Sequence, residues 1–210
     1  MKTAQIPAKA DAKAQVEFLN EELTPRIEEA KAGVRQLLFV DASHFVLAAF
    51  LGYLWCFARI FVKSPSGRQR YNVLGAFNAV SHELFTVTNN AYINANSIIA
   101  LMTKLLEQYA GQAITLVMDN ARYQRCALVM DFARNNGIEL LFLPPYSPNL
   151  NLIERLWKFV KKTCLNSKYY ADFHAFKTAI DDCLGNLGKK YKPDILSLMS
   201  LNFQLFHNVS

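Results

Sequence analysis

Three acids sit where carboxylates can do chemistry. Asp41 closes the apolar run "LLFVD", Asp119 closes "ITLVMD", and Glu154 opens a lysine-rich helix after "LPPYSPNLNLI". In α/β sheets, ligand and catalytic groups gather at the C-terminal ends of strands. Capping the next turn is the competing role for each acid, and the commoner one for a single acid. Glu154 follows Asp119 by 35 positions, room for one helix, one strand and a proline loop that returns the chain to the sheet. If the three converge, their mutual repulsion is costly unless divalent cations sit between them. All-oxygen ligands with retained waters suit Mg²⁺ or Mn²⁺. Two such ions about 4 Å apart activate a nucleophilic oxygen and stabilise the leaving oxygen in a phosphodiester displacement.

Local rules alone leave Glu154 open. Asn151 and Glu154 fit a capping box, Asn151 at N-cap and Glu154 at N3, worth about 1 kcal/mol of helix stability. Ile153, Leu156, Trp157 and Val160 make an apolar helix face, while Glu154, Lys158, Lys161 and Lys162 share the other. Arg155, Lys158, Lys161 and Lys162 either contact phosphates, which gives affinity without sequence readout, or form a solvated face. Arg68 and Arg70, in the basic loop "KSPSGRQR" (63–70), are further candidates for phosphate contact. Arg122, directly after Asp119-Asn120-Ala121, is placed to approach a scissile phosphate or to pair with an acid. His44 reads as a structural hydrogen-bonding side chain, and Trp55 and Trp157 as packing residues.

The elements that must position these residues follow from periodicity. Residues 11–32 read as a helix interrupted near Pro25, with few apolar positions and clustered acids, hence an appendage or linker. "RQLLFVD" is a short buried strand ending at Asp41. "YLWCFARIFV" (53–62) is rich in β-branched and aromatic residues, and "YNVLGAFNAV" and "LFTVTN" continue an antiparallel meander. The period then shifts: helix 94–111, strand "AITLVMDN", helix 123–136, strand 138–143, and helices over 172–187 and 194–207. Three antiparallel strands followed by alternating helix and strand predict an α/β fold, a mixed five-stranded sheet with helices on both faces. A ribonuclease H-like core is one of several arrangements with that order.

Composition sets the bounds. The chain has 210 residues, 52% hydrophobic and 19% charged, which describes a globular protein with one sizeable core. Its longest uncharged apolar run, Phe45 to Phe57, is 13 residues, short of the roughly 20 a bilayer span needs. No secretory h-region opens the sequence, so a cytoplasmic protein that does not engage a membrane is expected. Cys56, Cys126, Cys164 and Cys183 have no zinc-ligand spacing and read as reduced thiols. The net charge of +6 is uneven: residues 1–33 hold five Lys/Arg against six Asp/Glu, leaving +7 on the remainder. Basicity in the body of a domain hints at a polyanion partner.

Together, "LLFVDASHF", "ITLVMDNARYQRC" and "LFLPPYSPNLNLIERLWKFVKK" resemble the three catalytic blocks of DDE transposases, in particular the bacterial insertion-sequence 630 family related to the mariner group. The resemblance covers roughly residues 35–187, and the proline-tyrosine block is its most specific part. It implies a ribonuclease H-like (RNase H-like) catalytic domain over 34–190, a helical N-terminal appendage over 1–33 and a C-terminal helix packing on the core over 191–210. It implies Asp41, Asp119 and Glu154 as catalytic and metal-binding residues, two Mg²⁺ ions replaceable by Mn²⁺, and DNA as partner: the terminal inverted repeats of an element and a target, typically at TA. It also implies a homodimer in the active complex and association with the bacterial nucleoid. Two positions depart from many relatives, Gln124 in place of His and Leu152 in place of Pro, and neither removes a carboxylate. Complete members carry helix-turn-helix domains for which 33 residues are too few, so a catalytic half is expected. A truncated remnant that binds DNA or full-length transposase, and another RNase H-like nuclease, are the alternatives.

Overall fold

Alternating burial along the strands decides which side of the sheet each residue serves. The computed structural model describes residues 9–47, 57, 69–166 and 168–205. Five strands form one sheet in the order β3-β2-β1-β4-β5: β1 (Arg35–Val46), β2 (Arg70–Asn78), β3 (Leu84–Asn89), β4 (Ala113–Met118) and β5 (Ile138–Phe142). β1, β2 and β3 pair antiparallel, whereas β4 and β5 run parallel to β1. This is the mixed five-stranded sheet that the order of elements predicts. The 53–62 segment and most of the 63–70 loop, with Trp55, Cys56 and Arg68, lie outside the described residues.

Odd-numbered β1 residues Leu37, Phe39 and Phe45 join Val117 in one core, and even-numbered Leu38 and Val40 join Leu116 and Met118 in another. The second core is covered by α3 (Ala95–Gln108) and α4 (Ala127–Asn135). The first is covered by the chain from Phe18 through α2 (Thr24–Lys31), into which α1 (Ala12–Glu17) leads, and by α5 (Ile153–Val160), α6 (Phe173–Gly185) and α7 (Lys192–Leu198). Helices thus close both faces. Among the described residues no helix is long and apolar enough to cross a membrane.

Several expected boundaries shift. The helix expected over 123–136 begins only at Ala127, after turns through 122–126. The helix expected over 194–207 spans Lys192–Leu198 and gives way to an irregular tail. Residues 12–31 are no separate appendage: Phe18, Leu23, Ile27 and Ala30 are buried in the α5-side core. Arg26 also pairs with Glu139 of β5 at 2.8 Å. Pro25 does not break this segment. A π-helical stretch, Phe18–Leu23, precedes α2 and absorbs the missing proline N–H and the ring's clash with the preceding turn.

Candidate active site

β1 does not stop at Asp41. Its antiparallel ladder with β2 runs on from Ala42↔Leu74 to Val46↔Arg70, so cross-strand pairing overrides the low strand propensity of "DAS". The parallel ladder with β4, however, ends at Val40↔Met118. Asp41 and Asp119 are the next residues on the two strands, at the point where the parallel pair opens. Neighbouring strands lie about 4.8 Å apart. By alternation both acids fall on the face of Phe39 and Val117, the face that α5 covers. The strand-end argument therefore holds for the parallel pair, while for β1 itself the expected end is corrected.

α5 reaches that face through the proline loop. After β5, Leu143 is buried, Tyr146 adopts a positive φ of 57°, and a 3-10 turn, Pro148–Leu150, leads to the helix. A non-glycine residue in this region is strained, a feature that clusters at functional sites. Asp119, Asn120 and residues 143–148 line a 210 Å³ cavity. Ile153, Leu156, Trp157 and Val160 are all buried against the sheet, as the helical wheel requires. Glu154 then sits in the first turn, where a negative charge suits the helix dipole.

The capping box does not form. The residue before the helix is Leu152, which makes no side-chain cap. Asn151 is buried instead, and its Nδ2 donates at 3.4 Å both to the Val40 carbonyl and to Asp119 Oδ1. The residue read as a cap therefore links β1, Asp119 and the start of α5. Its spacing from Glu154 signalled a helix start but could not show the long-range partner.

Gly75, opposite Asp41 in the β1–β2 ladder, carries no signal in the sequence. A Cβ built there would lie 2.9 Å from Trp157 Cη2 and 3.0 Å from Ile153 Cδ1. Bare backbone at this position lets α5 settle onto the sheet beside Asp41. Gly75→Ala is expected to destabilise the chain by about 1–3 kcal/mol through overpacking against a rigid indole. Urea unfolding checks this, and a loss below about 0.5 kcal/mol would show that α5 is not held by that contact.

Electrostatics links the three acids. The Asp41 carboxyl is pushed up to about 7, first by burial and then by the charges of Glu154 and Asp119. Asp119 is also raised by burial, with the Asn151 amide pulling the other way. Trp157 sits beside Asp41 and favours its charged form, but the buried indole N–H closes no hydrogen bond. Trp157 thus packs as expected, edge-on to Phe45, while its polar edge lies toward Asp41. None of the three carboxylates forms an ion pair among the described residues. As they stand, no three His, Cys, Asp or Glu side chains among those residues are gathered closely enough to hold one ion. The donor set is nevertheless a fit for a hard divalent cation: all oxygen, partly buried and without a compensating cationic side chain.

The basic candidates separate. Lys158, Lys161 and Lys162 are exposed along the helix that carries Glu154, and Arg122 is exposed after Asp119. Arg70 pairs with Val46, five residues along β1 from Asp41, roughly 17 Å at strand rise. It lines a different cavity with Asn90 and Tyr92. Arg155 is half-buried and engaged by the C-terminal tail. The guanidinium expected to contact phosphate thus bonds main-chain carbonyls of the tail. Arg125, not anticipated, donates to Asn120 at 2.9 Å and stacks on Phe142, tying down the turn after Asp119. His44 bonds Asn72 at 2.7 Å, a structural role as expected.

With this geometry in hand, similar proteins are informative. A family model for the DDE superfamily endonuclease matches residues 36–177. The insertion element IS630 uncharacterized 39 kDa protein of Shigella sonnei is 27% identical over 104 residues, 49% of this chain and 30% of its own length. The chain covers less than a third of the curated relatives it matches. The mariner Mos1 paired-end complex with Mg has a TM-score of 0.63 at 12% identity, over 99% of this chain and 68% of that one. The catalytic domain of Mos1 mariner transposase has a TM-score of 0.59 at 12% identity, over 97% of this chain and all of that one. At such identity the likeness is one of fold, and it is the RNase H-like arrangement.

Proposed function

The chain belongs to the DDE superfamily of endonucleases, and from that footing we propose that it is the catalytic core of an insertion-sequence 630 or mariner-type transposase. The reaction proposed is cleavage of the phosphodiester at an element's ends, followed by transfer of the freed 3′-hydroxyl into target DNA at TA. Two copies of the chain, one at each end, would form the active complex. One observation carries the reading. Asp41 and Asp119 stand side by side where the β1–β4 parallel ladder opens, and the charge of Glu154 on α5 is felt at Asp41.

On this reading Asp41, Asp119 and Glu154 hold Mg²⁺ or Mn²⁺. When bound, such ions supply Lewis-acid activation of the attacking oxygen and neutralise charge developing on the leaving oxygen. The chain's own residues do the positioning. Asn151 fixes Asp119 against β1, Trp157 shields Asp41 from bulk water and offers it a polar edge, and Gly75 lets α5 bring Glu154 in. Arg122, Lys158, Lys161 and Lys162 are proposed to hold the DNA backbone as point charges, without reading bases. In the first step water attacks phosphorus and the bond to the 3′-oxygen breaks. In the second step that 3′-hydroxyl attacks a target phosphorus and loses its proton, the bond from that phosphorus to the target strand's own 3′-oxygen breaks, and the displaced oxygen takes up a proton.

The test uses DNA carrying the terminal inverted repeats of an insertion element, with Mg²⁺ or Mn²⁺. End cleavage and strand joining are expected, and structure-specific cutting without joining would point to another kind of nuclease. Because Asn151 supports a proposed ligand from outside the metal shell, Asn151→Ala is expected to weaken Mn²⁺ binding by about 10–100-fold. Calorimetry measures this, and wild-type affinity in that variant would remove Asn151 from the site.

A further inference from the structure

Arg155 follows Glu154 directly, and its half-buried side chain engages the C-terminal tail. Its Nη1 donates to the carbonyls of Leu198 at 3.2 Å and Ser200 at 2.7 Å, and its Nη2 to the carbonyl of Asn202 at 2.7 Å. The guanidinium lies 5.6 Å over the Phe203 ring, and Phe203 packs on Phe39, two residues before Asp41. Leu198 ends α7, where carbonyls lack helical partners and accept from arginine. One planar fork thus gathers three acceptors from the end of α7 and the non-helical residues after it, a geometry lysine cannot reproduce.

The same tail reaches the loop ahead of α5. Asn149 Nδ2 donates to the Gln204 carbonyl at 2.9 Å and to Gln15 Oε1 at 3.0 Å. Gln15, fully buried on α1, donates in turn to Ser147 Oγ at 2.9 Å. The loop and first turn that present Glu154 are therefore gripped from one side by α1 and from the other by residues 198–204. We propose that Arg155 is a positioning residue: with the C-terminal tail it clamps the first turn of α5 and so fixes the direction of the Glu154 carboxylate. What Glu154 does with that direction rests on the function proposed above; the clamp itself does not.

Amide hydrogen exchange on the full chain in metal-free buffer tests the clamp. The Glu154 and Arg155 amides, bonded to the carbonyls of Asn151 and Leu152 at 3.2 and 3.1 Å, are the reporters. Arg155→Ala, and separately a chain ending at Met199, are expected to speed their exchange by about tenfold or more. In Arg155→Ala, exchange in β1 and β4 should stay unchanged, which shows that the fold is intact. Combining the two changes should cost less than the product of their separate effects, because the bonds from Arg155 to Ser200 and Asn202 are lost in both. Arg155→Lys should fall between wild type and Arg155→Ala. Mn²⁺ affinity is expected to fall about tenfold in parallel. Wild-type exchange in Arg155→Ala, or effects that multiply in the combined variant, would overturn the clamp. So would weakened DNA binding with exchange unaffected, which would make Arg155 a phosphate contact. If wild type bound no Mn²⁺ while the exchange pattern held, the metal reading would fail and the clamp would stand.

Discussion

Asp119→Asn combined with Glu154→Gln is expected to leave a folded protein whose Mg²⁺- or Mn²⁺-dependent cleavage has fallen by about a thousandfold or more. The two changes keep side-chain size and remove two charges from a proposed ligand set of three. Lewis-acid stabilisation of a phosphoryl transition state is worth several kcal/mol, and each step of about 1.4 kcal/mol is a factor of ten in rate. Because the ligands act as one unit, each single change is expected to cost nearly as much as the pair. Circular dichroism and thermal unfolding would separate loss of chemistry from loss of fold. Cleavage that survives the double change would refute the assignment of the triad.

Asp41→Asn is expected to move stability and function in opposite directions. In the folded chain the Asp41 carboxyl is raised from 3.8 to about 7, so between those values the folded state holds a proton that the unfolded state releases. Stability in metal-free buffer therefore falls as pH rises across that window, and the loss is complete above it. Removing the charge at pH 8 should stabilise the metal-free protein by about 2–4 kcal/mol, because each tenfold difference in proton affinity between the folded and unfolded chain is worth about 1.4 kcal/mol. For a chain of this size that is roughly 5–15 °C in Tm. The same variant should lose the rise in Tm that Mn²⁺ gives the wild type, because binding stabilises only a state that holds the ion. A metal-free wild type whose stability is flat from pH 5 to 8, or an Asp41→Asn variant no more stable at pH 8, would contradict this electrostatic picture.

The strands and the buried face of α5 are legible in the sequence because their apolar residues recur at the spacing of burial. Leu37, Phe39, Val117, Ile153, Leu156, Trp157 and Val160 are all in one core, where alternation and helical period place them. What stays hidden is long-range. Asn151 has the spacing of a cap, yet its partners are Val40 and Asp119, 111 and 32 residues away. Gly75 carries no signal until Trp157 is seen against it. Arg155 has the chemistry of a phosphate ligand, and only the path of the tail reveals its use. Residues 11–32 read as an appendage because few of them are apolar. Leu23, Ile27 and Ala30 suffice to dock them, and Gln15 buries its amide in polar contacts.

Mn²⁺ calorimetry tests most directly whether the three carboxylates on β1, β4 and α5 form one cation site. Wild type, Asp41→Asn, Asp119→Asn and Glu154→Gln would be titrated at pH 8 without DNA. Binding by the wild type is predicted, with a loss of affinity in each of the three variants. Wild-type affinity in Glu154→Gln would contradict a shared site, and would return the glutamate to an ordinary first-turn acid of a lysine-rich helix.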